Sequence, residues 1–113
     1  GVRVLYPELL KRLDDSSDKV RICACAALQA MPAACAPGAM RGGPTEYTLD
    51  ALLIHMDDTD TAMQQAAAAA AGVFAQLDAQ YAAKAIASAR KRHRSPELCD
   101  ELLEALQGGA AAE

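Results

Sequence analysis

The chain has 113 residues, and its net charge of −4 with a pI near 5.1 excludes a global attraction to nucleic acid or anionic lipid. Its 52% hydrophobic content is carried by alanine and leucine, with one Phe, three Tyr and no Trp, a mixture that favours closely packed helices over strands or an aromatic core. The length suits one domain with a modest core, and no apolar run is suited to crossing a bilayer: Ala66 to Ala71 is a small-residue stretch flanked by Gln64, Gln65 and Gln76.

The opening GVRVLY has no initiator Met and no signal peptide, which reads as a cut inside a longer polypeptide. Tyr6, Leu9, Leu10 and Leu13 stand at i, i+3, i+4 and i+7, so a one-faced helix is expected. It should begin near Pro7, where a first-turn proline forfeits no hydrogen bond, and end around Asp14. The turn Asp14-Asp15-Ser16-Ser17-Asp18 offers caps for a second helix whose stripe is Val20, Ala24, Ala27, Leu28 and Met31, and Pro32 should stop it. Residues 32–44, PAACAPGAMRGGP, hold three prolines and three glycines. They read as a loop longer than a helical array needs; disorder is the plainer reading and a binding element the other.

A third helix is expected from Thr45 to Asp57, with Leu49, Leu52, Leu53 and Met56 on its apolar side. After the turn Asp57-Asp58-Thr59-Asp60-Thr61, a fourth runs to about Gln76 with Met63, Ala67, Ala70, Ala71 and Phe74 in its stripe. Its six consecutive alanines leave no polar face over nearly two turns, which places it in the middle of the stack, enclosed on several sides. Leu77 to His93 forms a fifth helix with Ala82, Ala85, Ile86 and Ala89 inward, closing on the basic run Arg90, Lys91, Arg92, His93, Arg94. Ser95-Pro96-Glu97 is a start signal for a sixth helix to Gln107, with Leu98, Leu102 and Leu106 inward and Glu97, Asp100, Glu101 and Glu104 outward. Residues 108–113 should form a frayed tail.

The chain repeats itself: Asp14-Asp15 recurs as Asp57-Asp58 about 43 residues on, and the leucine positions before it and the alanine-rich stripe after it recur in register. A period in the low forties belongs to arrays of helix pairs that need neighbours to bury their apolar side. The reading is a single domain, 1–113, with units of about 5–31, 45–76 and 77–107, joined by the loop 32–44.

Four cysteines, Cys23, Cys25, Cys35 and Cys99, could pair if secreted, yet Cys23 and Cys25 project roughly 200° apart on a helix and cannot bridge each other. Buried thiols in a reducing cytosol are expected. His55 and His93 have no serine or cysteine placed beside them by motif, so no catalytic constellation is expected. The acidic turns lack the glycine and glutamate of a calcium loop and read as helix caps, with no metal and no cofactor. Arg90, Lys91, Arg92 and Arg94 could attract nucleic acid, but cations at a helix carboxy-terminus next to an acidic helix have a structural use, and no nucleic acid or membrane partner is expected.

A leucine-rich helix, Asp15, Val20-Arg21 and then an alanine-rich helix together resemble a HEAT repeat. The resemblance implies an all-α, α-solenoid fold of about three antiparallel helical hairpins, six helices in total. It implies an inter-repeat hydrogen-bonded ladder through Asp15, Arg21 and Asp58, with Gln64 where a second arginine would stand. It also implies that second helices line a concave binding face, here Lys19, Arg21, Ile22, Gln29, Gln64, Gln65 and Ala68, a mild surface without aromatic anchors. More narrowly, YPELLKRLDDSSDKVR, LLIHMDD and KRHRSPELCDELLEAL resemble the carboxy-terminal repeats of HEAT-repeat factors for preassembly of axonemal dynein arms.

That resemblance implies a cytoplasmic, non-enzymatic scaffold whose partners are dynein intermediate or heavy chains, chaperones and other assembly factors. A generic HEAT scaffold for another client is one alternative; a HEAT-like bilin lyase is another, superficially allowed by the alanine-rich repeats and scattered cysteines. If an upstream repeat has been cut away, the amino-terminal face of the first helix should expose apolar surface and self-associate.

Overall fold

The computed structural model describes the backbone of residues 2–36 and 38–112, with side chains over 5–36 and 38–108. Six helices follow in order: α1 Val2–Arg12, α2 Asp18–Ala34, α3 Gly43–His55, α4 Thr61–Leu77, α5 Ala79–Arg90 and α6 Pro96–Ala112. There is no strand among the described residues. Successive helices pair as hairpins, α1 with α2, α3 with α4, and α5 with α6. Contacts of α1 with α3, α3 with α5, α2 with α4 and α4 with α6 then stack the hairpins into two layers, first helices in one and second helices in the other. The body measures 35 × 34 × 19 Å, and its short dimension is that of two helices, each about 10 Å across.

The core lies between the layers. Leu13, Leu28, Leu49, Leu52, Met56, Met63, Phe74 and Ile86 are fully buried, and Tyr6, Leu9 and Leu10 pack against them from α1. At the centre is α4, which touches α2, α3, α5 and α6. Ala67, Ala70 and Ala71 have no exposed surface, because only a methyl group fits where four helices converge on a fifth. Enclosure is not complete: Gln65, Ala69 and Gln76 form a strip open to solvent, so the six alanines do not all face protein.

Several boundaries differ from the sequence expectation. Helix α1 extends back to Val2 and carries Pro7 inside it. A mid-helix proline removes one backbone bond and costs about 3 kcal/mol, which the packing of Tyr6, Leu9, Leu10 and Leu13 against the core offsets. Helix α2 likewise passes through Pro32 and ends at Ala34, with the Cys35 N–H bonded to the Pro32 carbonyl. Helix α3 begins at Gly43, with Pro44 in its first turn, so the expected loop 32–44 shrinks to 35–42.

That shorter loop is folded where it is described, contrary to the plainer expectation of disorder; Pro37 lies outside the described residues. Met40 is buried and its carbonyl accepts from the Thr45 hydroxyl. Gly38 and Gly42 hold φ of 81° and 77°, the left-handed region that favours glycine, and so turn the chain into α3.

Helix α5 starts only at Ala79, because the Asp78 carboxylate caps it by accepting from the Tyr81 N–H at 3.1 Å. It ends at Arg90, so residues 91–93 of the basic run lie in the turn rather than the helix. Helix α6 continues to Ala112 where a frayed tail was expected from residue 108, since its alanines propagate a helix past Gly108 and Gly109; Glu113 lies outside the described residues.

All four cysteines are free thiols. Cys25 and Cys99 are buried as expected, and burial pushes their ionisation up, to about 11 for Cys25. Cys23 is exposed and Cys35 half-buried, against the expectation of buried thiols: Cys23 lies to the side of the α2 stripe, and Cys35 stands just past the end of α2 in extended backbone.

Packing around α4 generates a test. Ala67→Leu or Ala70→Leu should overpack the junction and cost about 1–3 kcal/mol, lowering the thermal midpoint by several degrees. Unchanged melting curves for both variants would mean that the junction has room to spare.

Candidate protein-binding surface

The three helix-pair turns share one local design with different atoms. In the first, the Asp15 Oδ1 accepts from the Ser17 N–H at 2.9 Å, and in the second the Asp58 Oδ1 accepts from the Asp60 N–H at 2.8 Å. In the third, the His93 Nδ1 accepts from the Ser95 N–H at 3.0 Å. Ser17 and Asp60 then cap α2 and α4 through the N–H groups of Val20 and Met63. Asp15 and Asp58 therefore hold their turns, while Ser17 and Asp60 serve as the helix caps. Accepting at Nδ1 requires the proton on Nε2, which rules out an ion pair across the 3.7 Å from Nδ1 to Asp57. The His93 side chain is 2% exposed, and its Nε2 has no hydrogen-bond partner among the described residues.

A polar seam along this edge ties the units together. Arg21 donates to Asp58 at 2.9 Å and to Asp18 at 2.6 Å. His55 lies 3.1 Å from Asp14, Arg94 donates to Asp57 from its backbone N at 2.9 Å and its Nε at 3.3 Å, and Gln64 donates to Ser95 at 3.2 Å. Of the residues expected to form the ladder, Arg21 and Asp58 are thus brought together, while Asp15 folds onto its own turn. Gln64 takes the place of an arginine and reaches the third unit with a neutral bond. The Asp60 N–H and the Arg21 guanidinium hold Asp58 below the usual carboxylate range, and the backbone N–H of Arg94 with its guanidinium does the same for Asp57.

On the layer of second helices, the expected binding residues separate into two groups. Lys19, Gln29 and Gln65 are exposed, and Ile22 and Ala68 are half-buried. Arg21 and Gln64 are held in the seam. The basic run divides too: Arg90 makes a two-point contact with Asp100 at 2.6 and 3.2 Å and Arg94 is held by Asp57, while Lys91 and Arg92 are exposed. His55 faces Asp14 and His93 is bound to its own turn, so neither is placed as a base for a thiol.

The opposite layer carries a groove of about 550 Å³ between α3 and α5. Leu53, Ile54, Ala85 and Ala89 supply its apolar lining, and Asp50, Asp57, Lys84, Arg92 and His93 its polar groups. Ile54 is 72% exposed, and Tyr47, two turns earlier on the same face of α3, is 65% exposed. Tyr81 Oη lies 2.7 Å from both carboxylate oxygens of Asp50, which pushes the phenol up to about 12. Sequence reasoning overlooked this surface because the apolar stripe of α3 accounts for its leucines and leaves Tyr47 and Ile54 as unremarked outer positions. An exposed isoleucine and tyrosine at i and i+7 were the available signal. A second depression of about 560 Å³ lies at the amino-terminal edge among Leu5, Leu9, Ala27, Ala30, Met31 and Cys35, and its lining is largely apolar.

The seam sets an acid dependence. A carboxylate whose ionisation is depressed by folding contributes stability above its unfolded value, near 3.9, and loses it as pH falls through the lower folded value. The thermal midpoint should therefore fall as pH drops below about 4. Asp58→Asn should cost about 1–2 kcal/mol at neutral pH and reduce that acid loss, measured by circular dichroism melts; identical acid profiles for the two proteins would remove Asp58 from the seam's energetics.

Comparison with known proteins agrees with this geometry. The HEAT repeat family matches residues 5–31, which cover most of α1, the first turn and most of α2. Dynein axonemal assembly factor 5 of Xenopus laevis is 35% identical over 106 residues, 91% of this chain. The proteins of the same name from Homo sapiens and Mus musculus are 33% and 31% identical, each over 96% of the chain. The chain spans about 13% of the length of these relatives. No solved structure matches it. The chain thus carries a HEAT repeat at its head, folds as an all-α stack of helical hairpins consistent with a helical-repeat solenoid, and is similar over nearly all its length to part of dynein axonemal assembly factor 5.

Proposed function

We propose that the chain is a non-enzymatic, protein-binding section of a larger cytoplasmic scaffold for preassembly of axonemal dynein arms. The observation that supports this most is the similarity to dynein axonemal assembly factor 5, which runs through 91% or more of the chain and so includes the groove helices as well as the HEAT repeat. The chemistry is compatible. His55 faces Asp14 of the neighbouring unit and His93 is bound within its own turn, two thiols are buried and held protonated, and no described helix is long and apolar enough to cross a membrane. The partners in this reading are dynein intermediate or heavy chains, together with chaperones and other assembly factors.

A pull-down from ciliated cells, using this chain and its longer parent as baits, tests the proposal. Recovery of dynein chains or known assembly factors by the parent is expected, and failure of both baits to recover any would defeat it.

The apolar depression on α1 and α2 supports self-association of the isolated chain, since Leu5 is half-exposed beside Leu9, Ala27 and Ala30. Sedimentation velocity should show a concentration-dependent dimer that Leu9→Glu converts to monomer. A wild-type chain that stays monomeric at every concentration would show that this face is not sticky enough to associate.

A further inference from the structure

We propose that the groove between α3 and α5 binds an acidic amphipathic helical segment of a protein partner. This rests on the protein-binding reading above and moves the binding surface to the layer of first helices, away from the second helices on which the sequence reading placed it.

Two independent features point there. One wall is apolar and exposed: Leu53 and Ile54 line it from α3, Ile54 at 72% exposure, and Tyr47, 65% exposed, stands two turns earlier on the same helix beyond the lining, in a body whose other large apolar side chains are mostly buried. Residues of this kind form the anchors of protein interfaces. The other wall is cationic: Lys84, Ser88 and Arg92 follow at i, i+4 and i+8 from α5 into the turn after it, which separates the two cations by about 12 Å. Neither Lys84 nor Arg92 makes an ion pair among the described residues, whereas Arg90 and Arg94 are both held by aspartates.

The acids that line the same groove are turned to the protein's own donors. Asp57 accepts from the Arg94 backbone and side chain, and Asp50 faces the Tyr81 hydroxyl. With the Asp50 carboxyl at one end, the complementary segment carries its acids toward Lys84 and Arg92 and its apolar side on Leu53 and Ile54. An apolar strip flanked by acids about two turns apart matches this spacing. A nucleic acid fits less well, because it lacks an apolar face for Ile54 and would meet Asp50 and Asp57 with its phosphates. His93, with Nε2 unpartnered, lines the same groove and offers a buried donor to a carboxylate or carbonyl.

The probe is a synthetic amphipathic helix of leucine and glutamate, titrated into the isotopically labelled chain and followed by amide chemical shifts. Its controls are the same peptide with lysine for glutamate and a single-stranded oligoribonucleotide. Shifts should appear at Ile54, Lys84, Ala85, Ser88 and Ala89, and affinity should fall with added salt. Lys84→Glu with Arg92→Glu should weaken binding roughly tenfold or more and leave the melting curve unchanged, since both side chains are exposed. Ile54→Asp should weaken it comparably. Shifts confined to α2 and α4, equal binding of the lysine peptide, preferred binding of the oligoribonucleotide in this groove, or a groove filled by a second copy of the chain would each overturn the proposal.

Combining Ile54→Asp, Lys84→Glu and Arg92→Glu in the longer parent separates this inference from the function. If the parent recovers dynein chains and the substituted parent recovers them equally, the groove is wrong and the function stands. If the unsubstituted parent recovers none, the function fails, and the peptide titration still decides the groove.

Discussion

Everything in this fold depends on a helix that other helices can approach from four directions. Because α4 presents Ala67, Ala70 and Ala71 where its neighbours converge, the axes of α2, α3, α5 and α6 can all come near it. A leucine at any of these positions would push one of them away. The larger side chains of the core, Phe74 and Met63 among them, then fill the ends of the same junction. The three hairpins become one body chiefly through this helix, with α3 adding contacts to α1 and α5 in the other layer. No disulfide, metal or aromatic cluster shares the work among the described residues.

Stacking the hairpins also brings their turns into line along one edge, where the register is set by polar contacts. The first two turns use aspartate to accept a backbone N–H two residues on, and the third uses the imidazole of His93 for the same bond. Across the units, an arginine–aspartate pair is followed by a neutral glutamine–serine bond. The geometry of the repeat therefore persists while the charged link between units moves from the ladder position to Arg94 and Asp57. A neutral bond forfeits Coulomb attraction yet leaves no buried charge to be compensated, which suits a position close to the alanine junction.

This seam has a consequence for binding. Side chains held between units are poor candidates for holding a partner, and Arg21 and Gln64 are both so held. What the stack leaves uncommitted lies elsewhere: the exposed Tyr47 and Ile54 on α3, the unpaired Lys84 and Arg92 across the groove, and the apolar hollow beside Leu5 and Leu9. The relatives extend far beyond this chain, which spans about 13% of their length. In a solenoid each unit contacts chiefly its neighbours, so a section of this size can carry its own surface chemistry.

The sequence by itself determined the helices and their pairing, because apolar spacing and turn chemistry are local: Leu49, Leu52, Leu53 and Met56 can share one face only on a helix, and Asp60 caps whatever helix follows it. It determined the centrality of α4 for the same reason, through a run of alanines that no exposed helix needs. Only the tertiary structure decided whether a proline ended a helix. Pro7 and Pro32 are local obstacles that packing across the hairpin overrides. It also decided the partners of polar groups, since the bonds of Arg21 to Asp58, Gln64 to Ser95 and Tyr81 to Asp50 each join residues about thirty or more positions apart. The groove was hidden in the sequence for that reason: its two walls lie on different hairpins, and no periodicity within one helix reports what stands across from it.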